Sequence, residues 1–561
     1  MAFSLSPSVN ITETDLTNIV PGVSTSVGAF AGTFVWGPTD DPVLIDSEQT
    51  LVSRFGKPDA NSAVSFFTCA NFLSYTNNLL VARSVNKSTA RNSVANVDAN
   101  ANILITNEDH YLSTYVNGEA NVGPFVAKYP GILGNSIRVS VADQDTFDTW
   151  VYKDLFDNKP NTSSYVENLG GTNDELHVIV IDETGLWTGT PGTVLEKFQY
   201  LSKASDARQP DGTSQYYKTV INNRSKYIWW TDHPEGTTNW GQSAFNTNFS
   251  SMLAVIDVAL QGGNDGNNVT DGNVQNTWAI FNNDEKYDIS LIPAGDASLA
   301  TQIFLINNIA EKRRDCVVCV SPPLDTVFDN VGQEAMDIVT YREQLPSTSY
   351  AVMDSGWKYQ YDRYRDIYLY VPLNGEVAGC MARTDYTNSP WWSPAGLNRG
   401  QIKNVVRLAF SPNKTERDVI YPKGINPVVS FPGQGTVLYG DRTLLAKPSA
   451  FDRINVRRLF IVLEKAIASA AKWQLFEFND SFTRSAFRNM VEPFLRDVQG
   501  RRGITSFRVI CDETNNTPEV IDRNEFVATI MVAPNRSINV INLNFVATRT
   551  GVNFEEILAQ V

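Results

Sequence analysis

The sequence predicts a multidomain α+β chain: a C-terminal domain of helices on an antiparallel sheet, an α/β middle domain, and an inserted β-rich domain. Three observations predict it. A length of 561 residues exceeds the roughly 250 to 300 at which single cores stop growing. Between Tyr287 and Asn388 strand-like and helix-like runs alternate, whereas from about Asn86 to Val274 the residues Asn, Thr, Ser, Gly and Asp dominate and helical periodicity is weak. After Phe451, two helical patterns are followed by runs of period two.

Near the start, Val9 and Ile11 alternate with Ser8, Asn10 and Thr12 as a short strand does. Two strands alone are marginal, so this segment is either a frayed terminus or an arm that pairs with another sheet. Val27 to Trp36 reads as a strand stopped by Gly37-Pro38, and Val43-Leu44-Ile45 as a second. Ser47 caps a short helix ended at Phe55-Gly56, a longer helix is expected over 63–75, and a strand over 79–85. In the Asn-rich stretch, strands are expected at 102–106 and 177–181, with turns at Asn117-Gly118 and Asp211-Gly212.

The α/β unit reads as a strand over 288–292, a helix over 298–312, a strand over 316–320, a helix after Val331 and a strand at 350–353. The charged-aromatic run from Lys358 to Arg365 alternates like a strand with two lined faces. In the C-terminal third, Asp452 stands at an N-cap position, and Val456, Phe460, Leu463, Ile467 and Ala470 form one apolar face. Arg457, Arg458, Glu464, Lys465 and Lys472 fall mostly off that face, on an expected wet side. A second helix follows Asp480, with Phe487, Met490, Val491, Phe494, Leu495 and Val498 inward, and Pro493 inside it predicts a kink or a restart. Three strands come next, carrying Phe507 and Val509, Ile530 and Val532, and Ile541, Leu543 and Phe545. Two helices on one face of this sheet are expected.

Composition narrows the chemistry. A formal charge of −15 opposes a nucleic-acid coat, which needs clustered Lys and Arg. A 42% hydrophobic content with no apolar run of about 18 residues predicts a soluble protein without membrane insertion. The opening Met1-Ala2-Phe3-Ser4 lacks a basic region and a long apolar run, so cytoplasmic synthesis is expected. Five scattered cysteines predict reduced thiols, with Cys316 and Cys319 buried in a strand rather than opening a redox helix.

The three histidines, His110, His177 and His233, form no zinc pair, and no Gly-x-Ser-x-Gly elbow, P-loop or dinucleotide fingerprint is present. The run from Leu260 to Gly266 reads as a turn rather than a calcium loop, and Asp232-His233 as a turn with solvated charges. Trp391-Trp392 reads as packing rather than a carbohydrate platform. No catalytic residue, cofactor or metal is expected.

Several long strings in order carry a resemblance. Val437-Leu438-Tyr439-Gly440-Asp441, Phe451 to Phe460, Leu475-Phe476-Glu477, Cys511 to Pro518, Val520 to Phe526 and Arg536-Ser537-Ile538-Asn539 resemble the C-terminal domain of contractile tail sheath proteins of T-even-like phages. Phe30-Ala31-Gly32, Trp36-Gly37-Pro38, Phe55-Gly56, Val81-Ala82-Arg83, the turn 260–266 and the strings around Val371-Pro372, Val377-Ala378-Gly379 and Ala382 to Asp385 are similar to the rest of that family's pattern.

The resemblance implies a linking arm at 1–22, a core sheath domain at 23–86 to which the chain returns at 389–450, an outward-projecting insertion at 87–274, an α/β domain at 275–388 and a C-terminal sheath domain with its own arm at 451–561. It further implies six-fold rings of self-associating copies in a helical lattice around a tail tube, with baseplate and tail terminator as further partners, a metastable extended state, and contraction that drives the tube into a host for genome delivery. The localisation implied is the virion tail, after synthesis in bacterial cytoplasm. Val9, Ile11, Glu13, Ile541, Leu543 and Phe545 are the expected intersubunit arm residues, joining neighbours by strand exchange. Arg484, Arg488, Arg496, Arg501 and Arg502 are the expected tube-facing residues. A tail-associated hydrolase and a glycan-binding adhesin using the insertion are the rival readings.

Overall fold

A computed structural model describes residues 23–96, 102–539 and 541. These residues fall into two compact units, a larger one within Ile19–Phe476 and a smaller one within Glu477–Val561.

The larger unit is built on a seven-stranded sheet whose order is Ile425–Asn426, Ala351–Asp354, Val317–Val320, Leu291–Pro293, Gly28–Gly32, Leu79–Arg83 and Val43–Ile45. Every pairing in it is parallel except the last, where Val43 faces Val81. Its strands read as continuous apolar runs because both faces are covered, as parallel sheets require. The pairing of Gly28 with Leu291 joins the early strands to the α/β strands. The expected separation of these two segments is therefore corrected: they share one sheet and one core, which runs from Ala29 through Val318 to Leu444.

Helices Ala63–Leu73 and Asn374–Thr387 pack against each other beside this sheet. Their close approach depends on Gly375 and Gly379, because a Cβ at Gly375 would stand 2.6 Å from the Thr68 carbonyl oxygen and one at Gly379 would stand 2.4 Å from the Tyr75 ring. Helix Leu299–Phe304, capped by the Ser298 hydroxyl on the Thr301 N–H, runs on through a wider π-helical stretch, Leu305–Ala310. A three-stranded antiparallel sheet, in the order Ile367–Pro372, Trp357–Asp362 and Arg407–Leu408, buries Lys358, Gln360 and Asp362 on one face.

Helix Ile454–Ala471 also belongs to this unit, which corrects the expectation that it covers the C-terminal sheet. Arg457 and Arg458, expected to be wet, are buried because each finds partners inside. Arg458 forms two 2.7 Å bonds to the Asp385 carboxylate and donates to the carbonyl of Thr25 at 2.9 Å. Arg457 donates to Ser349 Oγ and Tyr350 Oη and lies over the Phe451 ring. A buried guanidinium is tolerated only where its donors are taken up in this way. The expected cap, Asp452, instead ends a short 3₁₀ turn, and Arg453 occupies the N-cap position without a capping bond, its guanidinium donating to Tyr421 and Asp441.

The insertion is rich in antiparallel strands. Thr193–Ser202, Glu175–Asp182, Ile137–Asp143 and Ile256–Ala259 form one sheet in that order, and Phe125–Ala127 pairs with Ile228–Trp230. The strand expected at 102–106 is not one. Ile103 and Ile105 are buried, but the Ile103 carbonyl and the Ile105 N–H are satisfied by Asn92 rather than by a ladder.

In the smaller unit, helix Ser481–Gly500 starts at Asp480, whose carboxylate accepts from the Thr483 N–H, and runs unbroken through Pro493. No restart occurs. Pro493 and Asn489, whose carbonyl loses its helical donor, both face solvent, where water replaces the missing bond. Phe487, Met490, Val491, Leu495 and Val498 turn inward. The helix packs on the hairpin of Ile504–Ile510 and Thr529–Pro534, where Phe507 faces Val532 and Val509 faces Ile530.

Candidate assembly interface

The smaller unit holds the features that bear on assembly. Its sheet has two strands, so among the described residues each outer edge has no ladder partner. Such edges present a row of N–H and C=O groups ready to pair with another strand. After Pro534 the chain continues to Ile538 and Ile541, both of which expose their side chains. The remaining expected arm residues, Val9, Ile11, Glu13, Leu543 and Phe545, lie outside the described residues.

The helix separates the five arginines. Arg484 is buried, with its Nη1 donating to Asn479 Oδ1 at 3.1 Å, so this side chain supports the helix start instead of facing outward. The spacing already held that answer: positions 484, 487, 491, 495 and 498 recur at three and four residues, so Arg484 extends the inward stripe. Arg488 and Arg496 are solvent-facing and flank Glu492 one turn to either side, at 3.9 and 3.5 Å. One carboxylate thus serves two guanidinium groups, and the charge of Arg488 also acts on the Asp512 carboxyl. Arg501 lies 3.7 Å from Asp497. Arg502 takes a left-handed φ of 65° where the helix ends. Pairs this exposed contribute little to stability and exchange partners readily.

Residues that could have carried chemistry are otherwise engaged. The Asp265 carboxylate accepts from the Ile132 N–H at 2.8 Å and lies 4.0 Å from buried Arg83. His233 Nδ1 meets the Tyr217 hydroxyl at 2.7 Å, and burial lowers the imidazole's pKa. His177 is stacked on Phe156, accepts from the Tyr200 N–H at Nδ1 and approaches the Asn158 carbonyl at Nε2, with burial again holding its pKa down. Burial pushes the Cys316 thiol up to about 12, the opposite of an activated cysteine. Trp391 is buried, as packing requires.

Sequence periodicity missed one buried cluster in the larger unit. Lys358 Nζ and the Tyr75 hydroxyl both bond to Glu376, and Lys358 also donates to the Lys403 carbonyl at 2.9 Å. These residues come from three separated segments, and no local signal pairs them.

Comparison with known proteins places this architecture. Residues 25–83 match the N-terminal region of domain III of the tail sheath protein Gp18, residues 267–444 the phage tail sheath protein central domain, and residues 446–548 the phage tail sheath C-terminal domain. The chain is 32% identical to the tail sheath protein of Enterobacteria phage T4, with 99% of each chain covered. It is 33% identical to that of Salmonella phage ViI, with 99% of this chain and 98% of the relative covered. Among solved structures, the helical sheath of the anti-feeding prophage in its contracted state shares the fold, with a TM-score of 0.51 at 12% identity over 98% of this chain and 100% of the other.

Proposed function

The chain belongs to the phage tail sheath family, and from that membership we propose that its copies stack as six-fold rings in a helical lattice around a tail tube and shorten to drive the tube through a host envelope. Such a protein is a structural component of a contractile phage tail and not an enzyme. The observation that carries the proposal is identity at 32% sustained over 99% of both chains, far beyond any shared local motif. In this reading the protein is made in the bacterial cytoplasm, and the baseplate and a tail terminator bound the lattice.

The open hairpin edges supply the joints. Strands around Val9, Ile11 and Glu13 of one neighbour, and around Leu543 and Phe545 of another, pair with Ile504–Ile510 and Thr529–Pro534, so main-chain bonds link copies while rigid units reorient. Ile541 leads into the second of these arms. Arg488, Arg496, Arg501 and Arg502 face acidic groups of the tube. The existing ion pairs of Arg488, Arg496 and Arg501 are weak enough to be exchanged for tube carboxylates and released on contraction.

Negative-stain electron microscopy of the purified chain mixed with tail tubes tests the lattice: ordered rings or sheaths are expected, and monodisperse particles overturn it. Replacing Arg488→Glu together with Arg496→Glu tests the tube contact. Lower sheath occupancy on tubes, falling further with added salt, is expected; unchanged occupancy refutes it.

A further inference from the structure

The stretch from Ser24 to Gly28, where the chain passes from residues 1–22 into the first strand of the parallel sheet, is gripped by distant segments. The Thr25 carbonyl accepts from Arg458 Nη2 at 2.9 Å, and the Thr25 hydroxyl donates to Asp385 Oδ2 at 2.6 Å. One residue thus engages both halves of a buried ion pair. One residue earlier, the Ser24 carbonyl accepts from the Ser290 hydroxyl at 3.3 Å, and that hydroxyl in turn accepts from Lys465 Nζ at 2.9 Å. The Val27 carbonyl takes the N–H groups of both Ser290 and Leu291, at 2.9 and 3.2 Å, and the Gly28 N–H donates to the Asn78 carbonyl. Arg458 and Lys465 both lie on helix Ile454–Ala471, two turns apart on one face, so a single element sends both cations to this stretch.

Stability alone does not call for this arrangement, because replacing a buried ion pair with apolar side chains of similar volume is often neutral or stabilising. What the pair adds is direction. The Arg458 guanidinium is planar and is fixed by the Asp385 carboxylate and the Met381 carbonyl, so the Thr25 carbonyl meets a donor that cannot turn with it. A terminus left to fray needs no such grip. These bonds also come before the ladder: a pull on residues 1–22 meets Asp385, Arg458 and Ser290 before it reaches the pairing of Gly28–Gly32 with Leu79–Arg83. The gripping helix ends at Ala471, shortly before the chain enters the smaller unit, whose hairpin receives neighbours' strands in the reading above.

We propose that Arg458, Asp385 and Lys465 form the anchor through which residues 1–22 pull on their own subunit, and that helix Ile454–Ala471 passes this pull along the chain towards the hairpin. Tension then runs from one joint to the other without unzipping the parallel sheet. The proposal rests on the arm reading above and adds to it the place where the arm is fastened.

The test compares sheaths grown on tail tubes from the parent and from Asp385→Leu combined with Arg458→Met, a pair of changes that leaves neither ion without its partner. At rest the two reach equal length. Under hydrodynamic shear, scored by electron microscopy, the variant's mean length falls severalfold while the parent's holds. In the free chains, amide exchange at Gly28, Ser290 and Leu291 speeds up by about tenfold or more in the variant, while that at Val318 and Met353 is unchanged. Equal lengths after shear overturn the anchor. So does exchange that rises by the same factor throughout the core, which makes the pair an ordinary contributor to stability. Should the variant fail to fold or to assemble, the parent fold decides in an optical trap, pulled between Met1 and a handle on Lys447→Cys. A single rupture of the whole parallel sheet is expected, and an earlier, smaller step that frees residues 24–32 alone refutes the anchor. If the parent forms no sheaths, or forms normal ones after deletion of residues 1–20, the arm reading falls and takes the anchor with it; if only the variant contradicts expectation, the anchor alone falls.

Discussion

Buried charge in the larger unit is concentrated in a few side chains whose partners come from distant segments. Lys358 and Glu376 are both fully buried, and Tyr75 completes the set. Removing one member strands the other, so Glu376→Gln is expected to cost about 3 to 5 kcal/mol in a denaturant titration, whereas Lys358→Met with Glu376→Met costs less because no unpaired charge remains. A double variant as unstable as the single one contradicts this. Asp354 offers a second test. It accepts from Ser321 Oγ and from the Gly356 N–H, yet burial outweighs these bonds and pushes its carboxyl from 3.8 up to about 7. The folded chain therefore holds this proton to a higher pH than the unfolded chain, and its contribution to stability falls as pH rises from about 4 to about 7. Asp354→Asn removes that loss, so the variant's melting temperature, relative to the parent's, climbs across the window. Parallel curves refute the assignment.

At the scale of elements, sequence period showed which residues share a face but not which surface that face meets. The stripe through Val456 and Leu463 is legible, yet nothing local assigns the helix Ile454–Ala471 to the parallel sheet, and its buried arginines look polar until Asp385 and Tyr350 are placed beside them. Likewise the alternation from Lys358 reads correctly as a two-faced strand as far as Asp362, whereas Arg363, Tyr364 and Arg365 form the turn into Ile367–Pro372. The partnership of Gly28 with Leu291 spans the whole insertion and leaves no local trace. Of the candidate assembly residues, helix spacing could separate buried Arg484 from exposed Arg488, but not identify Glu492 as the shared partner of Arg488 and Arg496. Pro493 is the remaining discrepancy, since the helix continues through it on the solvent side. Pro493→Ala restores the Asn489 bond and is expected to stabilise the smaller unit by about 1 to 3 kcal/mol, read as slower amide exchange over 485–500; a loss of protection would mean that the proline's geometry is needed for packing on the hairpin.

For the whole molecule, the proposed assembly arms predict that folding and assembly draw on different residues. Among the described residues, the larger unit carries its own continuous core and the smaller unit its own helix-on-hairpin core. Deleting residues 1–20 should accordingly leave both melting transitions near their parent values. Assembly should respond very differently. If the segment around Val9 and Ile11 supplies a strand to a neighbour's hairpin, each main-chain bond contributes about 0.5 to 1.5 kcal/mol net, and a few bonds lost at every joint are multiplied along the lattice. The truncated chain is then expected to remain folded and monodisperse under conditions where the full chain forms sheaths on tubes. Sheaths of normal length from the truncated chain would show that the joints are made by other contacts, whereas a lowered melting temperature would show that the segment folds back onto its own subunit and that subunit stability and lattice continuity share one element.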